Sequence, residues 1–141
     1  MTKNETIIMP HQNFEKAVKE YEMAMRDFFK GNPKPLNTIY SNSDEISLAQ
    51  LSGSFIKGRN QVTEVARQNA LKYREGNTTF ETLTKCVTPD FAYIVQVERV
   101  DAKIDGKNES STLAIRVTSI FRREDSVWKL LHRHVDSYPF P

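Results

Sequence analysis

The chain has one cysteine, Cys86, in 141 residues. An intramolecular disulfide is therefore excluded, and a lone thiol in a β-rich run reads as a small apolar side chain rather than a nucleophile. Long hydrophobic runs are also missing. No stretch approaches the roughly 20 apolar residues that span a bilayer. The first ten residues contain Ile7-Ile8-Met9 but no extended apolar segment and no small-residue cleavage site, so they read as a tail and not a signal peptide. An excess of one charge is absent too: 20 basic residues face 18 acidic ones, a net charge of +2. Neither a basic stripe nor interleaved aromatics appear, which argues against a nucleic acid or an anionic membrane as partner. The expected setting is the cytoplasm.

The remaining pattern is that of one domain, residues 11–141 behind a tail of residues 1–10, long enough to bury a core. Phe14, Ala17, Val18, Tyr21, Met25, Phe28 and Phe29 recur at three- and four-residue spacing, which predicts an amphipathic helix from about Gln12 to Lys30. Gly31, Pro33 and Pro35 end it. A short second helix fits Leu36 to Tyr40, and a short strand fits Ile46 to Leu51. A third helix is expected from Asn60, as N-cap, to Arg74, with Gly76 just past its end. After Gly76 the period changes to two. Residues 78–87, 91–104, 111–123 and 127–138 are four long strand candidates rich in Val, Ile, Thr, Phe and Tyr. Asp105-Gly106 and Glu124-Asp125-Ser126 supply hairpin turns. Helices first and antiparallel strands after is the order of an α+β domain.

The last two strands hold the most informative residues. Strict alternation places Arg116 and Thr118 on a face with Ala114 and Ile120. It also places Trp128, Leu130, His132, His134 and Asp136 together on a face of the last strand. A guanidinium, an imidazole and a carboxylate on one sheet face predict a polar pocket inside an apolar shell. Both faces of these strands carry apolar residues, so one face takes the helices and the other calls for cover, which a sheet-to-sheet homodimer would supply.

The order of elements resembles the nuclear transport factor 2-like superfamily. The run Leu113-x-x-Arg116-Val117-Thr118-x-x-Phe121-Arg122-Arg123-Glu124-Asp125-x-x-Trp128-Lys129-x-x-His132-Arg133-His134 resembles its SnoaL-like, ketosteroid-isomerase-like branch. The resemblance covers roughly Phe14 to Asp136. It implies a cystatin-like cone, with the N-terminal helices packed on the concave face of a curved, mostly antiparallel sheet, a pocket between the layers and a homodimer through the sheet. Members of the family include isomerases, cyclases, dehydratases, ligand binders and oligomerising domains, so fold alone does not assign an activity. Ketosteroid isomerases use an aspartate base. The corresponding stretch here, Leu51-Ser52-Gly53-Ser54-Phe55-Ile56-Lys57, has no acid, and a hydroxyl cannot replace that carboxylate as base. Steroid isomerisation is therefore not expected.

The candidate catalytic set is His134, Arg116 and Glu98. Arg116, mid-strand on an interior face, must either anchor a carboxylate or enolate or pair structurally with Glu98 on the neighbouring strand. His134 is a candidate general base or hydrogen-bond donor, or else a half-buried histidine bonded to backbone. His132 and His134 at i, i+2 invite zinc, but a closed site needs more ligands than two. No metal and no cofactor are expected. Trp128, Phe55, Tyr40 and Tyr21 are either an aromatic wall or core, and the ligand-facing set is Trp128, Thr118, Tyr40, Phe55, His132 and Asp136. The expected function is binding or transforming a small apolar or acidic metabolite. A non-catalytic homodimerisation or scaffold module is the alternative.

Overall fold

The computed structural model describes residues 10–139, with side chains from Asn13 onward. Pro10 opens the first helix, and the rest of the expected tail lies outside the described residues. The elements run α1 (Pro10–Phe28), α2 (Lys34–Ile39), β1 (Ser47–Ala49), β2 (Phe55–Lys57), α3 (Arg59–Ala70), β3 (Tyr73–Val87), β4 (Phe91–Ile104), β5 (Ser110–Glu124) and β6 (Val127–Ser137). The six strands form one sheet in the order β2-β1-β6-β5-β4-β3. Every pairing is antiparallel except that of β1 with β6. The fold is the expected α+β, cystatin-like one.

Helix α1 forms where its apolar period predicts, and Phe14, Ala17, Tyr21, Ala24, Met25 and Phe28 are the buried stripe. It lies across the sheet, where the Phe14 ring meets Phe121 and Trp128 edge to face at 5.2 and 5.4 Å. The sheet face beneath is furnished for this packing by Ala92, Ile94, Val100, Ala102, Ile115, Val117 and Leu130. Edge-to-face contacts of this kind add roughly 0.5–1.5 kcal/mol beyond the area they bury. Asp105 and Gly106, at φ 54° and 76°, turn β4 into β5, and Asp125 and Ser126, at φ 50° and 67°, turn β5 into β6. Asp125 and Ser126 have the positive φ that a two-residue hairpin needs, while Asp105 and Gly106 open a longer connection to Ser110.

Three expectations change. Helix α3 begins at Arg59 rather than behind an Asn60 cap, and its first amide, Arg59 N–H, donates to Asp44 Oδ1 at 3.1 Å. A carboxylate brought from a distant loop thus does the work of a local cap. The helix stops at Ala70, short of Arg74, because Tyr73 and Arg74 already pair with β4. Residues 55–57, which lie outside every expected element, form β2 against β1.

Gly76 is consequently not a helix terminator. It sits in β3 at a register shift between Arg74 and Asn77, where Gly76 N–H donates to the Phe29 carbonyl at 3.1 Å. A Cβ at this position would lie 2.3 Å from that carbonyl oxygen. The end of α1 can reach the sheet only because residue 76 has no side chain. This contact fixes Phe29 against the sheet, where it becomes part of the wall described next.

Candidate functional site

A cavity of about 400 Å³ opens between α1, the end of α3, the β1–β2 loop and the sheet. Its deep walls are Met25 and Phe29 from the end of α1, Leu48 from β1, Ile115 from β5 and Arg133 from β6, all buried. Its mouth is Leu51, Ser52 and Lys72, all exposed. Across the mouth Asn69 Nδ2 donates to Gln50 Oε1 at 2.9 Å, which ties α3 to the β1–β2 loop. The lining contains two cations, Arg133 and Lys72, and no carboxylate.

Arg133 is the unusual member. It is 6% exposed, and it forms no ion pair with a carboxylate among the described residues. Its Nε donates to the Tyr21 hydroxyl at 3.2 Å. Tyr21 in turn donates to Glu98 Oε2 at 2.7 Å. The result is a chain from the cavity inward: guanidinium, phenol, carboxyl. Glu98 is fully buried, and its second oxygen, Oε1, has no hydrogen-bond partner. The buried Tyr40 hydroxyl, just after α2, lies beside the same guanidinium.

The electrostatics follow from burial. Desolvation pushes the Glu98 carboxyl upward from its ordinary range. Arg133 and the Tyr21 hydrogen bond pull it back, and the Glu22 charge adds to the rise. Desolvation likewise raises Tyr21 and Tyr40, which stay neutral phenols. Burial works against the Arg133 charge, but Tyr21, Tyr40 and Glu98 around it more than offset that, and a guanidinium does not deprotonate in a protein.

The expected site residues divide between the two faces of the sheet. Glu98 and Tyr40 are inside, beside Arg133. Trp128 is also inside, in the aromatic cluster with Phe14. Arg116, Thr118, His132, His134, Asp136 and Phe55 are on the outer face. Arg116 does not pair with Glu98, because adjacent residues on adjacent strands point oppositely. Its register partners are Val97 and Asp136, and its Nε and a terminal nitrogen donate to the Asp136 carboxylate at 3.0 Å each. That pair holds Asp136 below the usual carboxylate range. His132 is bonded through Nδ1 to Ser47 Oγ at 2.7 Å, and burial lowers its pKa. Phe55 stacks obliquely on the His132 ring at 6.3 Å. Thr118 faces His134 across the strands.

One irregularity explains the division. Ile120 pairs with His132, yet Phe121 pairs with Leu130, so Leu131 is an extra residue in β6. A bulge reverses which alternate residues face the core. Trp128 and Leu130 face the helices before it, and Arg133 and Val135 after it. Continuing the Trp128 phase through Leu131 puts the two histidines inside and Arg133 outside. The adjacent Leu130-Leu131 pair is the signal in the sequence: two large apolar residues in succession break a period of two.

The sequence profile of the SnoaL-like domain matches residues 20–141. The chain belongs to the SnoaL-like domain family. Solved structures share its fold at low identity. A nuclear transport factor 2-like superfamily protein from Salmonella enterica serovar Typhimurium superposes with a TM-score of 0.77 at 13% identity, over 94% of this chain and 95% of its own. A ketosteroid isomerase-like protein from Erwinia carotovora atroseptica gives 0.74 at 12% identity, over 89% and 94%. A protein from Thiobacillus denitrificans, named for the association domain of calcium/calmodulin-dependent protein kinase type II, gives 0.73 at 15% identity, over 89% and 94%. No curated protein sequence matches the chain. Among the described residues, no helix of this SnoaL-like domain is long and apolar enough to cross a membrane.

Replacing Tyr21 by Phe removes the middle of the buried chain with both of its hydrogen bonds and should destabilise the domain by about 1–3 kcal/mol, the cost of an orphaned buried polar group. The folded-state pKa of Glu98 is raised, so its neutral form carries stability that is complete below the unfolded-chain value and is lost as pH rises through the folded value. Losing the Tyr21 donor penalises the ionised carboxylate more than the acid. Urea denaturation should therefore show a larger Tyr21→Phe deficit at about pH 8 than at about pH 5.

Proposed function

We propose that this SnoaL-like domain binds a small organic anion, a carboxylate with an apolar body, whose charged end lies on Arg133. The observation that carries the reading is a buried cation with no ion-pair partner, facing a cavity lined by a second cation and no acid. A buried charge must be compensated, and a planar guanidinium is suited to a carboxylate. The apolar deep walls from Met25, Phe29, Leu48 and Ile115 fit the body of the ligand. A volume of about 400 Å³ falls within the range of small-molecule sites. The titratable groups of the lining are Lys72, Tyr73 and Arg133, and burial raises the Tyr73 phenol. That inventory supports holding an anion more than abstracting a proton from one.

The test is a matched panel by calorimetry: benzoate and hexanoate against benzamide and hexanamide. The carboxylates should bind and the amides should not. Arg133→Met should weaken the carboxylates by about ten- to a hundredfold, the worth of a charge-assisted hydrogen bond. Arg116→Ala and His134→Ala, on the far face, should leave binding unchanged. Equal binding of acids and amides, or full sensitivity to Arg116, would contradict the reading.

A specific observation also favours self-association. Phe55, Leu83, Phe91 and Tyr93 are exposed on the outer sheet, beside Val95 and Ile120. We infer that a second copy of the chain covers this face, which is compatible with a ligand inside each cone. Light scattering after gel filtration should give a dimer mass for the wild type and a monomer mass for Tyr93→Asp. A monomeric wild type at micromolar concentration would remove the inference.

A further inference from the structure

Anion binding at Arg133 leaves one buried acid without a task. Glu98 is enclosed on all sides. Helix α1 presents Tyr21, bonded to it, and Glu22, whose carboxylate accepts from Gln96 Nε2 at 2.8 Å. Strand β6 presents Arg133 beyond the Tyr21 hydroxyl. The paired strands β3 and β5 present Phe80 and Ile115, both apolar. Just after α2, Tyr40 faces Arg133. The interior thus holds one fixed positive charge and one fully buried carboxyl, joined through a single hydroxyl.

Two states of this cluster are neutral overall. With the cavity empty, an ionised Glu98 compensates Arg133 across Tyr21. With an organic anion on Arg133, an ionised Glu98 would leave the interior with net negative charge, next to Glu22 and with Oε1 lacking any donor. A low-dielectric interior does not hold such a charge; the group takes up a proton instead.

We propose that the cavity exchanges its internal counter-charge for the ligand: an anion enters against Arg133 and a proton from solvent is bound by the Glu98 carboxylate in the same equilibrium. This rests on the anion-binding reading. No covalent bond of the ligand changes, and the charge of the cluster stays at zero. Burial already raises Glu98, and a bound anion raises it further. Binding therefore weakens as pH rises through the Glu98 pKa of the empty protein, by up to about tenfold per pH unit. Glu98 acts as a positioning residue and does not touch the ligand.

The experiment is a carbon-13 NMR titration of the glutamate side-chain carboxyls, with and without benzoate, the Glu98 resonance being assigned by its loss in Glu98→Gln. Calorimetry of benzoate in two buffers of different ionisation enthalpy counts protons. The expected result is a Glu98 midpoint that moves up when benzoate is present, with up to one proton taken up. In Glu98→Gln, benzoate binds with no uptake and no pH dependence, and more tightly than to the wild type at alkaline pH. A Glu98 midpoint unmoved by bound benzoate, or equal uptake in Glu98→Gln, overturns the exchange while leaving anion binding intact. If no carboxylate binds, the anion reading fails and the exchange with it. In that case an upward move of Glu98 in Arg133→Met still reports whether the two charges are coupled through Tyr21.

Discussion

The structure depends on the buried guanidinium of Arg133. Arg133 sits on the helix-facing side of a sheet whose other residues on that side are mostly apolar, and such a charge persists only if the surroundings answer it. Tyr21 answers it from the helix layer and Glu98 from two strands away, so the chain of hydrogen bonds spans both layers of the fold. The cavity is what remains on the side of the guanidinium that the protein does not answer. The two layers, the polar chain and the empty volume are therefore one arrangement.

That arrangement sets the chemistry of the interior. The β1–β2 segment places Gln50, Leu51 and Ser52 at the cavity, and the Glu98 acid in the interior lies behind a phenol. The similarity to structures from Salmonella, Erwinia and Thiobacillus fixes the fold, and a fold of this kind hosts unrelated activities. The cavity is cationic at the bottom and at the rim, its lining holds no carboxylate, and Glu98 lies behind the Tyr21 hydroxyl.

Much of the fold was legible in the sequence, because the clues were periodic. The apolar spacing from Phe14 to Phe28 marked α1, and the change of period after Gly76 marked the long strands. Asp105-Gly106 marked a hairpin. Glu98 was legible as an interior acid from its neighbours. The faces of β6 were misread at one residue. Leu131 adds a position to β6, and every assignment after it takes the opposite face. His132, His134 and Asp136 are thereby outside, and Arg133, passed over between two histidines, is inside. Arg116 failed for a related reason. A strand with apolar residues on both faces gives no internal reference for which face meets the helices, and only the pairing with β4 and β6 decides it. Asp44 as the cap of α3 and Gly76 as the contact point for Phe29 depend on distant chain segments, which local pattern cannot report.

The most direct test of the central claim is where an anion comes to rest. A crystal soaked in 4-bromobenzoate would locate it by the anomalous signal of bromine. The account predicts a peak inside the cone, among Met25, Phe29, Leu48 and Ile115, with the carboxylate against the Arg133 guanidinium. Bromine found only on the outer face beside Arg116 and His134, with the cavity closed by repacked side chains, would contradict it.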